Sequence, residues 1–226
     1  MNTPDILFED GEALVIDKPA GLPIDRPRKG GECLEDHLEA LKLGFQRAPV
    51  PVHRLDTDTS GCLLLARNPK ALKRFNKAFE ERLVTKTYLA VLAGHPPGES
   101  GTIRLKLAKI SSEAKGWRMI AAKKGKEAVS HWELVQELGS HSVIRFRPET
   151  GRTHQLRIHA HKGLGAPLLG DPVYGSEAQR GKGAKRTMLH ASSLFVPRDG
   201  KPAIEAHAPL PADFTALDVH EPEANG

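Results

Sequence analysis

Cysteine is scarce in this 226-residue chain: Cys33 and Cys62 are the only two, and they form no C-x-x-C pair. That count supports neither a disulfide framework nor a thiolate zinc site. Cys62, inside an apolar run, reads as a small buried hydrophobe. Long apolar runs are missing as well, and none approaches the ~20 residues of a membrane span. The opening MNTPDILFEDGEALVIDKPAG carries acids where a secretory leader would carry bases, so the expectation is a cytoplasmic protein with no membrane partner. Aromatic rings are few, with two Trp and two Tyr, a poor supply for stacking sugars. Nucleotide cradles are missing too. Gly181-Lys-Gly-Ala-Lys-Arg lacks the G-x-x-x-x-G-K-[ST] spacing, and no G-x-G-x-x-G follows a strand pattern. Ser60 does not sit in a G-x-S-x-G elbow. Nothing here signals ATP, NAD or serine-hydrolase chemistry.

What the chain does have is positive charge, unevenly placed. Its formal net charge is +5, yet residues 213–226 hold four acids (Asp213, Asp218, Glu221, Glu223) and no Lys or Arg. Setting those four negative charges aside leaves +9 on residues 1–212. A basic body of this kind suits a polyanionic partner, nucleic acid first. The expected organisation is one body over 1–212, as one large domain or two closely fused lobes, and an acidic, flexible tail over 213–226.

Hydrophobic periodicity gives a coarse outline. Residues 6–8 and 13–16 are short β-type runs around the Gly11 turn, and Pro19, Gly21 and Pro23 then break regular structure. Leu34, Leu38 and Leu41 have helical spacing. Asn68-Pro69 reads as an N-cap followed by proline in the first turn. The helix it opens has Leu72, Phe75, Phe79 and Leu83 on one face and Lys70, Lys73, Arg74 and Lys77 on the others. Residues 86–93, 128–138 and 142–147 read as strands, 104–126 as an exposed basic loop or hairpin, and Gly151 onward as another helix. In that helix His154, Arg157 and His161 would share a polar face. Strands and helices without regular βαβ alternation predict an α+β fold with a mixed, mostly antiparallel sheet core and flanking helices.

The densest stretch is PVHRLDTDTSGCLLLARN, residues 51–68, where Asp56 and Asp58 stand at the mouth of an apolar strand. A carboxylate there is expensive to desolvate unless paired. Two acids two residues apart admit a glycosidase-type acid and base, but the surroundings are cationic. Asp58 suits an Asx-type turn through Thr59-Ser60-Gly61. Asp56, just before that turn, is the candidate for chemistry. His154, His159 and His161 cluster in sequence, but 159 leaves the helical face of the other two and HExxH is absent. No metal is expected.

These residues carry a family resemblance. HRLDTDTSGCLLLA resembles the H-R-L-D-x-x-T-S-G signature of the RluA-type RNA pseudouridine synthases. EDGEALVIDKPAGLPI is similar to that family's opening strands, and KTYLAVLAG to its K-x-Y segment. RPETGRTHQLRIHAHKGLGAPLLGDPVYG resembles its third motif, with LHASSLFVP and APLP matching the close. The likeness runs in the family's order from Ile6 to Pro211. It implies the pseudouridine synthase fold and an enzyme that isomerises uridines in ribosomal or transfer RNA; unlike some relatives, no separate N-terminal RNA-binding domain is expected before Ile6. It implies no cofactor and structured RNA as partner, with the monomer as default. By the same resemblance Asp56 is the catalytic carboxylate. Tyr88 stacks on the flipped uracil, Arg152 pairs with the carboxylate, and Arg54 sits near the vacated base or a phosphate. Thr57 and the stretch Asp25-Arg-Pro-Arg-Lys-Gly-Gly depart from the usual pattern. A different class of reading is a non-catalytic RNA-binding protein of the same fold. Asp56 argues against it, because a carboxylate repels phosphate.

Overall fold

The computed structural model describes residues 3–112, 116–176 and 184–220. It divides into two compact units, Met1–Lys86 with Ala191–Pro209, and Thr87–His190 with Leu210–Gly226. In chain order the first unit contains β1 (Asp5–Glu9), β2 (Ala13–Lys18), β3 (Val50–Pro51), β4 (Ser60–Ala66) and α1 (Pro69–Glu80). β5 (Thr85–Leu92) passes into the second unit, which continues with β6 (Ser100–Ser112), β7 (Gly116–Ala121), β8 (Lys126–Leu138), β9 (His141–Pro148) and α2 (Gln155–Ile158). β10 (Leu189–Val196) leads back to the first unit, which ends with β11 (Ile204–His207), and α3 (Ala212–Thr215) closes the second. Sheets dominate and helices are few, an α+β fold as the sequence predicts.

In the first unit the strands run in the order β1-β2-β4-β10, with β3 also on β4 and β11 also on β10. β1–β2, β2–β4, β3–β4 and β10–β11 pair antiparallel. β4 is buried along its whole length, which is why it reads as an unbroken apolar run. Cys62, Leu64 and Ala66 share a core with Ala13 and Val15 of β2 and with Ala71 and Phe75 of α1. Truncating a side chain such as Phe75 to Ala would cost about 3–5 kcal/mol.

α1 begins where the sequence places it. The Asn68 side chain accepts a hydrogen bond from the Ala71 amide at 2.9 Å, and Pro69 is the first helical residue. The helix stops at Glu80, and Arg82 takes a left-handed φ of 59°. Leu83 is therefore beyond the helix and half exposed, not on its apolar face. The expected helix over 34–41 is instead two short 3-10 turns, Leu34–His37 and Ala40–Lys42, ended by Leu43 in the left-handed region.

In the second unit the strand order is β5-β9-β8-β6-β7, antiparallel throughout. β5 alternates between two cores. Ala90 and Leu92 pack with Ile144, Phe146, Leu156 and Ala160, while Leu89 and Val91 pack with Val143, Met188, Phe214 and Val219. The basic stretch 104–126 is a hairpin, with Lys109 opposite Met119. The segment from Asp213 begins as packed structure, since Phe214 is fully buried and Val219 nearly so. Their apolar side chains outweigh the nearby acids, and Asp213 itself pairs with Arg186 at 2.5 Å. Residues 221–226 of the expected tail lie outside the described residues.

Candidate active site

The turn that carries Asp56 is built from both ends. On its N-terminal side β3 pairs with β4, and the Val52 amide donates to the Leu64 carbonyl at 2.9 Å. One residue later the ladder is completed by a side chain. The Leu64 amide donates to Nε2 of His53 at 3.1 Å, so the imidazole stands in for a strand carbonyl and the backbone is free to turn away. His53 stacks on Phe79 of α1 at 4.9 Å. Burial, then the neighbouring charge of Lys86, pushes its pKa down to about 3. It is a neutral acceptor at physiological pH.

Leu55 is buried, Asp56 half-buried, and the Thr59 amide donates to the Asp56 carbonyl at 3.0 Å, closing the turn through the backbone. Thr59 and Ser60 are buried. Gly61 then has a φ of +105°, and a Cβ on it would fall 2.2 Å from the Ala191 carbonyl oxygen. The left-handed backbone and the close strand approach both require glycine here.

Lys18 clamps the turn from beneath. It is fully buried, and its ammonium donates to the carbonyls of Pro19 at 2.8 Å, Leu22 at 2.9 Å and Thr57 at 3.1 Å. The Gly21 amide donates to the same Thr57 carbonyl at 2.9 Å. The Lys-Pro-Ala-Gly-Leu loop and the Asp56 turn are thus tied to one cation. Asp17, at the end of β2, has its pKa raised by burial and by Asp5. Burial and Asp17 together push the Cys62 thiol up to about 12, so it is an inert core residue. Arg54 projects into solvent and meets Asp25 at 3.1 Å, with the two side chains 79% and 63% exposed. Such a pair is worth little in water.

In the second unit Tyr88 is half-buried on β5, opposite Phe146 of β9. Arg152 is exposed, and its Nε donates to the Glu127 carbonyl at 3.1 Å. The helix expected from Gly151 starts only at Gln155, because His154 takes a left-handed φ of 53°. The turn before it is held by the buried Gln155 side chain. Its Oε1 accepts from Thr150 Oγ1 at 2.7 Å and from the Arg152 amide at 3.0 Å. Its Nε2 donates to the Val129 carbonyl and Ser130 Oγ, both at 2.9 Å.

Arg157 is not on a polar helix face. It is buried and grips Asp171 with Nε at 2.7 Å and a terminal nitrogen at 2.8 Å. Burial would raise the Asp171 carboxyl, but Arg157 and the Tyr174 and Val173 amides outweigh it and hold the pKa below the usual value. Tyr174 lies under the Arg157 guanidinium at 5.3 Å and meets Nδ1 of His154 at 3.0 Å. His159 is fully buried, with both ring nitrogens lacking a hydrogen-bond partner among the described residues, and burial lowers its pKa to about 4. Among the described residues no group of three or more His, Cys, Asp or Glu is placed to hold a metal ion.

Of the residues singled out in the sequence, Arg54 and Asp56 share one turn in the first unit, whereas Tyr88 and Arg152 belong to the second. Lys18, Gln155 and Asp171 were given no role by sequence reasoning, and Arg157 only a place on a polar helix face. The only signal for them was their position inside the matched segments.

Comparisons with known proteins identify the family. Residues 12–162 match the family model described as RNA pseudouridylate synthase. An uncharacterized RNA pseudouridine synthase of Zymomonas mobilis is 54% identical over 94% of this chain and 96% of its own length. The ribosomal large subunit pseudouridine synthase C of Rickettsia prowazekii is 36% identical over 93% of this chain and 69% of its own. The solved structure of human RNA pseudouridylate synthase domain containing 1 superposes with a TM-score of 0.77 at 31% identity, covering 92% of this chain and 84% of that one. A turn clamped around a half-buried aspartate, in a chain with these relatives, leads to one assignment: the chain belongs to the RluA-type RNA pseudouridine synthases, which are isomerases.

Proposed function

We propose that this protein isomerises particular uridines to pseudouridine in ribosomal or transfer RNA, with Asp56 as the catalytic carboxylate. The name of the Rickettsia relative favours ribosomal RNA. The observation that carries the reading is the Asp56 turn itself, fixed by Lys18, His53 and Gly61 and presenting a half-buried acid. An acid aimed by a rigid strand start can engage one sugar reproducibly.

The reaction breaks the bond between C1′ and N1 of uridine, turns the base, and joins C1′ to C5. N1 gains a proton and C5 loses one, so atoms and electrons balance within the nucleotide. Asp56 either attacks C1′ or removes a ribose proton, and both routes require its ionised form. Reaching that atom means taking the uridine out of its stack, which is easiest in an exposed loop. Tyr88 supplies a ring on which the detached uracil can rest. Arg54, exposed and paired with an exposed Asp25, is available to fill the vacated space or meet a phosphate. Arg152 orients the reacting carboxylate and sugar, so removing it should lower turnover more than RNA binding. The basic faces of α1 and of the β6–β7 hairpin grip phosphates in a salt-dependent way. The enzyme works in the cytoplasm as a monomer.

Chemical mapping of pseudouridine in total RNA, from cells with and without the gene, tests the proposal. One or more pseudouridines should vanish from ribosomal or transfer RNA when the gene is removed. Identical maps would contradict it.

A further inference from the structure

Among the described residues no carboxylate balances the charge of Lys86. It is half-buried at the start of β5, with its ammonium 5.7 Å from the centre of the Phe79 ring. Among the described residues its side chain makes no hydrogen bond and no ion pair. Desolvation lowers its pKa, and no carboxylate acts in the other direction. His53, which leans on the same Phe79 ring, is neutral and adds no compensation. A partly desolvated cation with an aromatic ring but no counter-ion beside it is a cost to folding, and a Met of similar length would fill the same slot without that cost. The first unit shows the alternative in Lys18, whose ammonium is satisfied by main-chain carbonyls. Lys86 therefore suits a partner that arrives from outside, and that partner must be an anion.

The anion is specified by what lies beside it. Lys86 and Tyr88 are two residues apart on one strand, so their side chains leave on the same side, about 6.6 Å apart along the chain. That spacing is within the reach of one nucleotide. We propose that the Lys86 ammonium binds a phosphodiester of the substrate RNA, next to the nucleotide whose base faces Tyr88. The placement of the base rests on the reading of Tyr88 given above, whereas the anion site rests on Lys86 and its surroundings. Phe79 and His53 form its apolar floor, and phosphate docking supplies the counter-charge that no described residue supplies. An ammonium in a site of low polarity interacts with phosphate more strongly than an exposed lysine does.

The test uses the full chain with Lys86→Met and Lys86→Arg, and an oligouridine strand as the binding probe over a series of salt concentrations. Lys86→Met should melt at or above the wild-type temperature. Its affinity should fall about tenfold at low salt, and its log–log salt slope should shrink by about 0.7, the share of one phosphate on a single strand. Lys86→Arg should restore the slope. Wild-type slope and affinity in Lys86→Met, or a marked drop in its melting temperature, would overturn the proposal. Binding and isomerisation are read separately. Wild-type protein that binds with the expected slope yet isomerises no RNA would defeat the Asp56 reading and leave this one standing.

Discussion

Residues 51–61 and 151–158 carry the two densest motifs in the sequence, and they use their polar side chains in opposite ways. In the first, the polar groups serve the backbone. His53 completes a strand ladder, Lys18 collects carbonyls from two loops, and the acid they position stays half-buried. In the second, the polar groups serve one another. Gln155 ties the turn to β8, and Arg157 is locked onto Asp171 in a bidentate pair with almost no exposure. The contrast separates an acid that is held in place for chemistry from an acid that is consumed in holding. In the proposed function Asp56 is the former, whereas Asp171, gripped by Arg157, is the latter.

Breaking the Arg157–Asp171 pair tests the contrast hardest. Asp171→Asn leaves a buried guanidinium uncompensated and should destabilise the protein by about 3–5 kcal/mol, measured by chemical denaturation. A change below ~1 kcal/mol would place the pair among weak surface contacts and erase the distinction. Gly61→Ala comes next. It adds a Cβ 2.2 Å from the Ala191 carbonyl at a φ of +105° and should cost about 2–4 kcal/mol. Glycine elsewhere in the turn region, such as Gly30, has nothing within 4 Å of a Cβ. A Gly30→Ala control should therefore lose only what its own positive φ demands.

A third effect is a pH dependence. His53 and His159 have folded-state pKa values of about 3 and about 4, against an ordinary value of 6.5. The unfolded chain thus binds protons that the folded chain refuses. The stability contributed by keeping these rings neutral is complete above pH 6.5 and is lost as pH falls toward the folded values. The melting temperature should decline through that window. His53→Gln keeps a side-chain acceptor and removes one titrating ring, so it should flatten the decline. A profile flat down to pH 4 in the wild type would contradict the buried, neutral assignment.

Much of the fold was legible because its signals are local. The Asn68 cap, Pro69 and the spacing of Leu72, Phe75 and Phe79 fix α1 without outside information, and the apolar run after Gly61 announces a central strand. Other features depend on contacts distant in sequence. Lys18 meets Thr57 across 39 positions, and Gly61 is constrained by Ala191. Arg157 looks like one more cation on a basic helix until Asp171 is placed beside it. The acidic segment after Pro211 misled for the same reason. Its composition suggests solvent, but Phe214 and Val219 find an apolar core that only the folded second unit supplies. Asp56 was singled out because a family motif surrounds it, whereas the contacts that hold its turn, from Lys18 and His53, were not legible.

The most direct measurement is tritium release from RNA labelled at C5 of uridine, comparing wild type with Asp56→Asn. The account expects the variant to fold with an unchanged melting temperature, to bind RNA, and to release no tritium above background. Release at the wild-type rate would contradict it.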